Sequence, residues 1–208
     1  MDAGIIFRDS LEFFGPRKLC RELNMLVLVG DNPLVSQHVL AREIGITPTM
    51  VNNYMKYLTD KNMVSVEGKT NRQTKYFLTP KGKRRRRMLL NKYITEVSGL
   101  YSACKMEFRR RLNEFHRNGI KRVIFFGAAE TGEIAYQAAS TTALEIVGIV
   151  DNDPNKHHKK LGDIEIRPPS CIEELSPDGV IITALAHPGE IYQQLLPLKE
   201  KGIVIKKL

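Results

Sequence analysis

The stretch Ser36-Gln37-His38-Val39-Leu40-Ala41-Arg42-Glu43-Ile44-Gly45-Ile46-Thr47-Pro48 decides the reading of the first half of the chain. Ser36 is of the type that caps a helix N-terminus, and Gly45 suits a left-handed cap at its other end. Between them Leu40, Ala41 and Ile44 fall on one face at helical spacing. Thr47 then caps a second helix, with Pro48 at its first position, where no donor is lost. That helix runs to about Thr59 and turns Val51, Tyr54, Met55 and Leu58 inward. Thr49, Asn52, Asn53 and Lys56 are left on its outer face. These types can donate to phosphates or read base edges, and they also suit an ordinary solvated face. Upstream, Leu19 to Val29 is apolar enough for a core helix, ended by Gly30-Asp31-Asn32-Pro33.

Downstream, Met63-Val64-Ser65-Val66-Glu67 and Thr74-Lys75-Tyr76-Phe77-Leu78 alternate as strands do. Gly68-Lys69-Thr70-Asn71-Arg72-Gln73 between them is a polar hairpin tip. This order of elements resembles the winged helix-turn-helix domains of MarR-like regulators. The matching residues are Leu40 to Thr47, the exit Leu58-Thr59-Asp60-Lys61-Asn62-Met63-Val64, and the close Leu78-Thr79-Pro80-Lys81-Gly82. The resemblance implies that the second helix of the pair enters a major groove through Thr49, Asn52, Asn53 and Lys56. Lys69, Arg72 and Lys75 would meet phosphates from the wing. Lys83-Arg84-Arg85-Arg86-Arg87 is read either as a phosphate clamp, with Arg84 and Arg85 as contacts, or as the solvated start of the next helix.

From Met88 the apolar residues Leu89, Tyr93, Ile94, Val97, Leu100, Tyr101, Cys104, Phe108, Leu112 and Phe115 are mostly three or four apart. They predict one helix of about 25–30 residues, stopped near Gly119. Its stripe needs a partner, either the same helix of a second chain or the neighbouring domain. Gly99 within it marks a kink or a close contact.

The second half opens on Arg122-Val123-Ile124-Phe125-Phe126, a run suited to a strand buried on both faces. Gly127-Ala128-Ala129-Glu130-Thr131-Gly132 follows, then a helix over 133–140, then the strand Glu145 to Val150, which ends in Asp151-Asn152-Asp153-Pro154. Strand, glycine turn, helix, strand and acid make a dinucleotide-type fingerprint. Ala129 replaces its middle glycine. Further strands are expected over 163–167, 179–184 and 203–205, with a helix over 189–200. This half resembles the Rossmann-like N-terminal domains of polysaccharide-biosynthesis epimerases and sugar N-acyltransferases. The resemblance implies a nucleotide or UDP-sugar site. Gly127, Ala128, Ala129, Thr131 and Gly132 would lie on its phosphate side, Asp151, Asn152 and Asp153 at the ribose or base, and Thr183, Ala184 and His187 closing it. His157 and His158 read as solvated loop residues.

The expected organisation is an extension over 1–18 and an α+β winged helix-turn-helix domain over 19–87. A long linker or dimerisation helix follows over 88–119. An α/β Rossmann-like domain with a mainly parallel sheet of about five strands fills 120–208. Charge divides the same way: 22 Lys+Arg against 11 Asp+Glu in residues 1–119, and 10 against 12 in residues 120–208. A basic half suits a polyanion. Three dispersed cysteines without a CxxC pair argue against a disulfide framework or a zinc site, and no basic leader precedes an apolar stretch. The expectation is therefore a cytoplasmic, homodimeric transcription regulator with no catalytic constellation, catalytic cofactor, metal or membrane contact. It binds double-stranded DNA and responds to a nucleotide, foremost a UDP-sugar. The alternatives are an NAD(H)-responsive repressor, since Rex repressors share this domain order, or a purely structural Rossmann-like unit. A sugar-nucleotide enzyme fragment and a protein-binding winged helix are further classes.

Overall fold

The structure, a computed structural model, describes residues 18–68 and 74–208. The chain divides into two compact units, Met1–Leu100 and Tyr101–Leu208. The extension over 1–17 and the wing residues Lys69 and Arg72 lie outside the described residues.

The first unit holds α1 (Lys18–Asp31), α2 (Gln37–Ile44), α3 (Pro48–Asp60), β1 (Val64–Glu67) and β2 (Lys75–Leu78). Ser36 Oγ accepts from the Val39 amide and Thr47 Oγ1 from the Met50 amide, so each helix begins on the expected cap. Gly45 sits at φ 68° and passes its amide to the last carbonyls of α2, which turns the chain into α3 within a few residues. Leu40, Val51, Met55 and Leu58 close on Met25, Leu26 and Val29 of α1 in one core. Tyr54, expected inside, is only half-buried. β1 and β2 pair antiparallel, Val64 with Leu78 through Glu67 with Lys75. Three helices followed by a hairpin is the winged helix-turn-helix architecture.

The long helix α4 spans Pro80–Arg117, 38 residues, and so begins before Met88. Thr79 Oγ1 accepts from the Gly82 amide at 3.1 Å and Pro80 takes the first position, which repeats the Thr47-Pro48 start. The basic run 83–87 therefore lies inside the helix. Leu89 packs into the first core, and Leu112 and Phe115 into a core of the second unit. Gly99 has open space where a Cβ would stand, so it marks no close contact among the described residues.

The second unit contains β3 (Arg122–Phe126), α5 (Glu130–Ala139), β4 (Glu145–Val150), β5 (Lys160–Leu161), β6 (Ile164–Arg167), β7 (Gly179–Ile182), α6 (Pro188–Glu200) and β8 (Val204–Lys207). The sheet order is β5-β6-β4-β3-β7-β8. β6, β4, β3, β7 and β8 run parallel, and the short β5, which the sequence reading lacked, adds an antiparallel edge. Alternate residues of β3 serve the two faces. Val123 and Phe125 meet Ala135, Ala138 and Ala139 of α5, while Ile124 and Phe126 meet Ile191 and Leu195 of α6.

Candidate nucleic-acid interface and ligand cleft

Thr49, Asn52, Asn53 and Lys56 are all exposed on α3, at positions that form one face. The inward turn of Val51, Met55 and Leu58 forces this phase. None of the four makes a hydrogen bond or ion pair among the described residues, so their polar groups are uncommitted. Asn52 borders a groove of about 780 Å3 between the start of α2 and the hairpin, with Gln37 and Thr74 also in its lining. Gln37 Nε2 donates to Tyr76 Oη at 3.1 Å and fixes the hairpin against α2. Lys75 is exposed on β2, in register with Glu67.

The five cations of 83–87 do not act alike. Arg85 donates through Nε and an Nη to the two oxygens of Glu22, at 2.7 and 3.0 Å. The Glu22 side chain is only 2% exposed, so this fork keeps a buried carboxylate paired. Arg85 is thus a brace between α1 and α4 and not the phosphate contact expected of it. Arg86 lies 3.6 Å from Asp31. Lys83, Arg84 and Arg87 are exposed on the remaining side of the helix and leave three cations facing solvent.

In the second unit a cleft of about 340 Å3 opens at the carboxyl ends of β3, β4 and β7. The chain proceeds from β3 to β4 and β6 on one side, then returns to β7 and β8 on the other, so the cleft lies where the strand order reverses. Gly127, Ala129, Asp151, Asn152, Asp153, Ala184 and His187 are in its lining, together with Lys156, Leu185, Ala186 and Glu190. Gly127 sits at φ 120°, and a Cβ there would stand 2.7 Å from the Ala184 amide nitrogen. A Cβ on Gly132 would strike the Gly127 carbonyl, so that glycine lets α5 pack onto the turn. Gly132 is accordingly buried and Thr131 half-buried, and neither lines the cleft. Ala128 lines a separate hollow with Glu130, Glu133 and Lys160. Thr183 is also turned away from it: buried, its hydroxyl reaches the Gly127 and Phe126 carbonyls at 2.7 and 3.0 Å and holds the turn in place.

Asp151 differs most from expectation. Its Oδ2 accepts from the Ala128 amide at 2.7 Å and from Lys156 Nζ at 2.9 Å, and its Oδ1 accepts from the Asp153 amide at 2.9 Å. Burial alone raises its pKa, but the two amides and the ammonium together hold it below the ordinary carboxylate value. Both oxygens accept within the chain, so Asp151 locks the glycine turn, with one lone pair of Oδ1 left over at the cleft. Lys156 arrives there because Asp153 caps the short turn Pro154–Lys156 by accepting from the Asn155 amide. His157 Nε2 lies 2.8 Å from the Asp151 carbonyl oxygen and braces the same loop. Asn152 and Gln194 exchange side-chain hydrogen bonds at 2.9 and 3.1 Å, tying the end of β4 to α6. His187 Nδ1 lies 2.9 Å from Glu190 Oε1. The Asp153-Pro154 capping signal was available in the sequence and points to Lys156. Leu185 and Ala186 carry no comparable signal.

No group of three or more potential metal ligands occurs among the described residues, nor does any helix long and apolar enough to cross a membrane. The chain is therefore a two-unit protein: a winged helix-turn-helix with a free polar helix face, and a mostly parallel α/β sheet with a cleft at its switch point. Residues 119–204 match the family described as C2185-like, N-terminal. Several solved structures are similar to parts of the chain. A MarR-family protein of Mycobacterium tuberculosis in complex with p-aminosalicylic acid is 20% identical over 55% of this chain and 92% of its own, with a TM-score of 0.39. A MarR-family transcriptional regulator of Rhodococcus sp. RHA1 is 18% identical over 39% of this chain, with a TM-score of 0.36, and this chain spans 60% of its length. UDP-D-quinovosamine 4-dehydrogenase of Vibrio fischeri is 19% identical over 43% of this chain and 78% of its own, with a TM-score of 0.38. A comparison with curated proteins finds no match. At these similarities the solved structures add nothing to what the chain's own geometry shows.

Proposed function

We propose that the protein is a DNA-binding transcriptional regulator that acts as a homodimer, and that its α/β unit binds a nucleotide effector, a UDP-sugar. The observation that carries the DNA reading is the α3 face. Four polar side chains stand there exposed and without hydrogen-bond partners among the described residues, beside the groove next to the hairpin. Exposed Lys83, Arg84 and Arg87 and the +9 charge of the chain supply the phosphate attraction.

The homodimer reading rests on α4. Leu90, Ile94, Val97 and Tyr101 are 41, 52, 38 and 39% exposed. Their steps of four, three and four match the alternation of a two-stranded coiled-coil seam. A second copy of the same helix covers such a seam, and a dimer presents two α3 helices to two half-sites.

For the effector, the cleft's place at the switch point of a parallel sheet supports a nucleotide. Its 340 Å3 lies near the lower end of ligand sites, which run from about 300 to 1,000 Å3, and suits one nucleoside portion better than a dinucleotide. Lys156 is the one Lys or Arg in the described lining and is the candidate partner for a phosphate. Regulation follows by linkage: an effector that prefers one dimer arrangement shifts DNA affinity by its differential affinity for the two states. No residue is assigned a catalytic role.

A thermal-shift panel of UDP, UDP-sugars, CMP- and GDP-sugars, NAD, NADH, coenzyme A and ATP tests the effector. A ligand at about 100 times its Kd stabilises its unit by roughly 2.7 kcal/mol. A shift confined to UDP-sugars is the expected result. A shift with NADH alone replaces it with redox sensing, and no shift with any compound leaves the α/β unit without a sensing role.

A further inference from the structure

We infer that the exposed face of α3 reads A·T base pairs in the major groove, so that the duplexes this protein selects are A·T-rich at each half-site. The inference rests on the DNA-binding reading and deepens it by naming the base chemistry. Base pairs are told apart in the major groove by a small set of side-chain pairings. Arg or Lys pairs with guanine O6 and N7, a carboxylate accepts from the cytosine amino group, and Asn or Gln pairs with adenine N6 and N7. The thymine methyl takes an apolar contact such as a threonine methyl.

The thirteen residues of α3, Pro-Thr-Met-Val-Asn-Asn-Tyr-Met-Lys-Tyr-Leu-Thr-Asp, can be sorted by that set. They contain no arginine, and their sole carboxylate, Asp60, is the last residue. The guanine fork and the cytosine acceptor are therefore missing from the part of the helix that enters the groove. What the entering end offers is Thr49, Asn52 and Asn53, all exposed. Each asparagine presents a donor and an acceptor on one planar amide, the complement of the adenine edge. Neither amide is consumed by a bond within the chain among the described residues. Thr47 spends its hydroxyl oxygen on the Met50 amide as the helix cap.

Lys56 is the one side chain on this face of the type that pairs preferentially with guanine. It stands a further turn along the helix, and base contacts in this architecture come from the N-terminal residues of the recognition helix. Lys56 is thereby placed against the phosphate backbone, where it adds affinity without sequence preference.

Fluorescence anisotropy of the full chain on labelled duplexes of one length, A·T-rich or G·C-rich, tests this at a fixed salt concentration. The A·T-rich duplex should bind about tenfold more tightly, the effect of roughly one good bidentate pair. Replacing adenine N7 by carbon in that duplex should remove most of the difference. The N52A/N53A double variant should bind both duplexes alike and keep the salt dependence of nonspecific binding. Its far-ultraviolet circular dichroism and thermal midpoint should match the parent, since both side chains are exposed and unbonded. Lys56→Ala should weaken both duplexes by the same factor. Equal affinity for the two duplexes overturns the inference while leaving DNA binding intact. So does a preference that survives the double variant or the loss of N7, because the reading would then lie in the minor groove. A selective loss of G·C binding in Lys56→Ala overturns the placement of the lysine. Failure to bind any duplex overturns the proposed function itself.

Discussion

Asp151 shows how a residue in a familiar position can take a different part. Spacing from the glycine turn marks it as an acid at the end of β4, but spacing does not reveal what else reaches it. The Asp153-Pro154 turn folds Lys156 back, and the Ala128 and Asp153 amides each donate to one of its oxygens. Asp151→Ala strands two amide donors at the mouth of the cleft and should destabilise the α/β unit by about 1–3 kcal/mol in urea denaturation. Because the folded carboxyl titrates below its unfolded value of about 3.9, its contribution is complete above that pH and is lost as pH falls through the folded value. The parent and Asp151→Asn should therefore differ in stability by a constant amount between pH 5 and 8, and the gap should narrow only in acid. A gap that changes near neutrality would contradict the assignment. A similar contrast separates neighbours in the basic run. Arg85→Ala abandons the buried Glu22 carboxylate and should cost about 3–5 kcal/mol of stability. Arg84→Ala should leave stability unchanged within about 0.5 kcal/mol, weaken DNA binding and make its salt dependence shallower. Five consecutive cations conceal this difference in sequence. Counting one turn back from the buried Leu89 reveals it, because that step lands on Arg85.

At the level of elements, α2 and α3 were legible almost to the residue because every signal agreed: caps at Ser36 and Thr47, a left-handed glycine at 45, and apolar residues at helical spacing. The start of α4 was missed although Thr79-Pro80 carries the same signature as Thr47-Pro48. There the resemblance to a wing's closing segment and the charge of 83–87 drew the boundary too late. β5 escaped for a different reason. Its two residues are too few to show any alternation, and it is specified only by pairing with β6. Within α4, Gly99 meets no neighbour among the described residues, so Gly99→Ala should raise stability by about 0.5–1 kcal/mol through helix propensity alone. Ile94→Glu places a charge in the middle of the exposed apolar seam. It should shift sedimentation from dimer to monomer at micromolar concentration. An unchanged dimer would place the contact between copies elsewhere.

Across the whole molecule, the division of charge and the change of pattern from short caps to buried apolar strands made two units readable. The candidate site was readable only in part. The α3 face followed from helix phase, and the cleft's position from the glycine turn and the ends of the strands. The inward roles of Thr183 and Gly132, the occupied Asp151 and the entry of Lys156 depend on contacts between distant segments that no local pattern encodes. Function in the first unit rests on duplex DNA binding by the basic winged helix through α3 and the exposed cations. The most direct test is the affinity of the full chain for a short labelled duplex measured from 50 to 300 mM salt. Log affinity should fall linearly with log salt, with a slope of about −0.9 for each phosphate neutralised, made shallower by about one such step in Lys56→Ala. An affinity that does not change with salt, or no binding at the lowest salt, would contradict it.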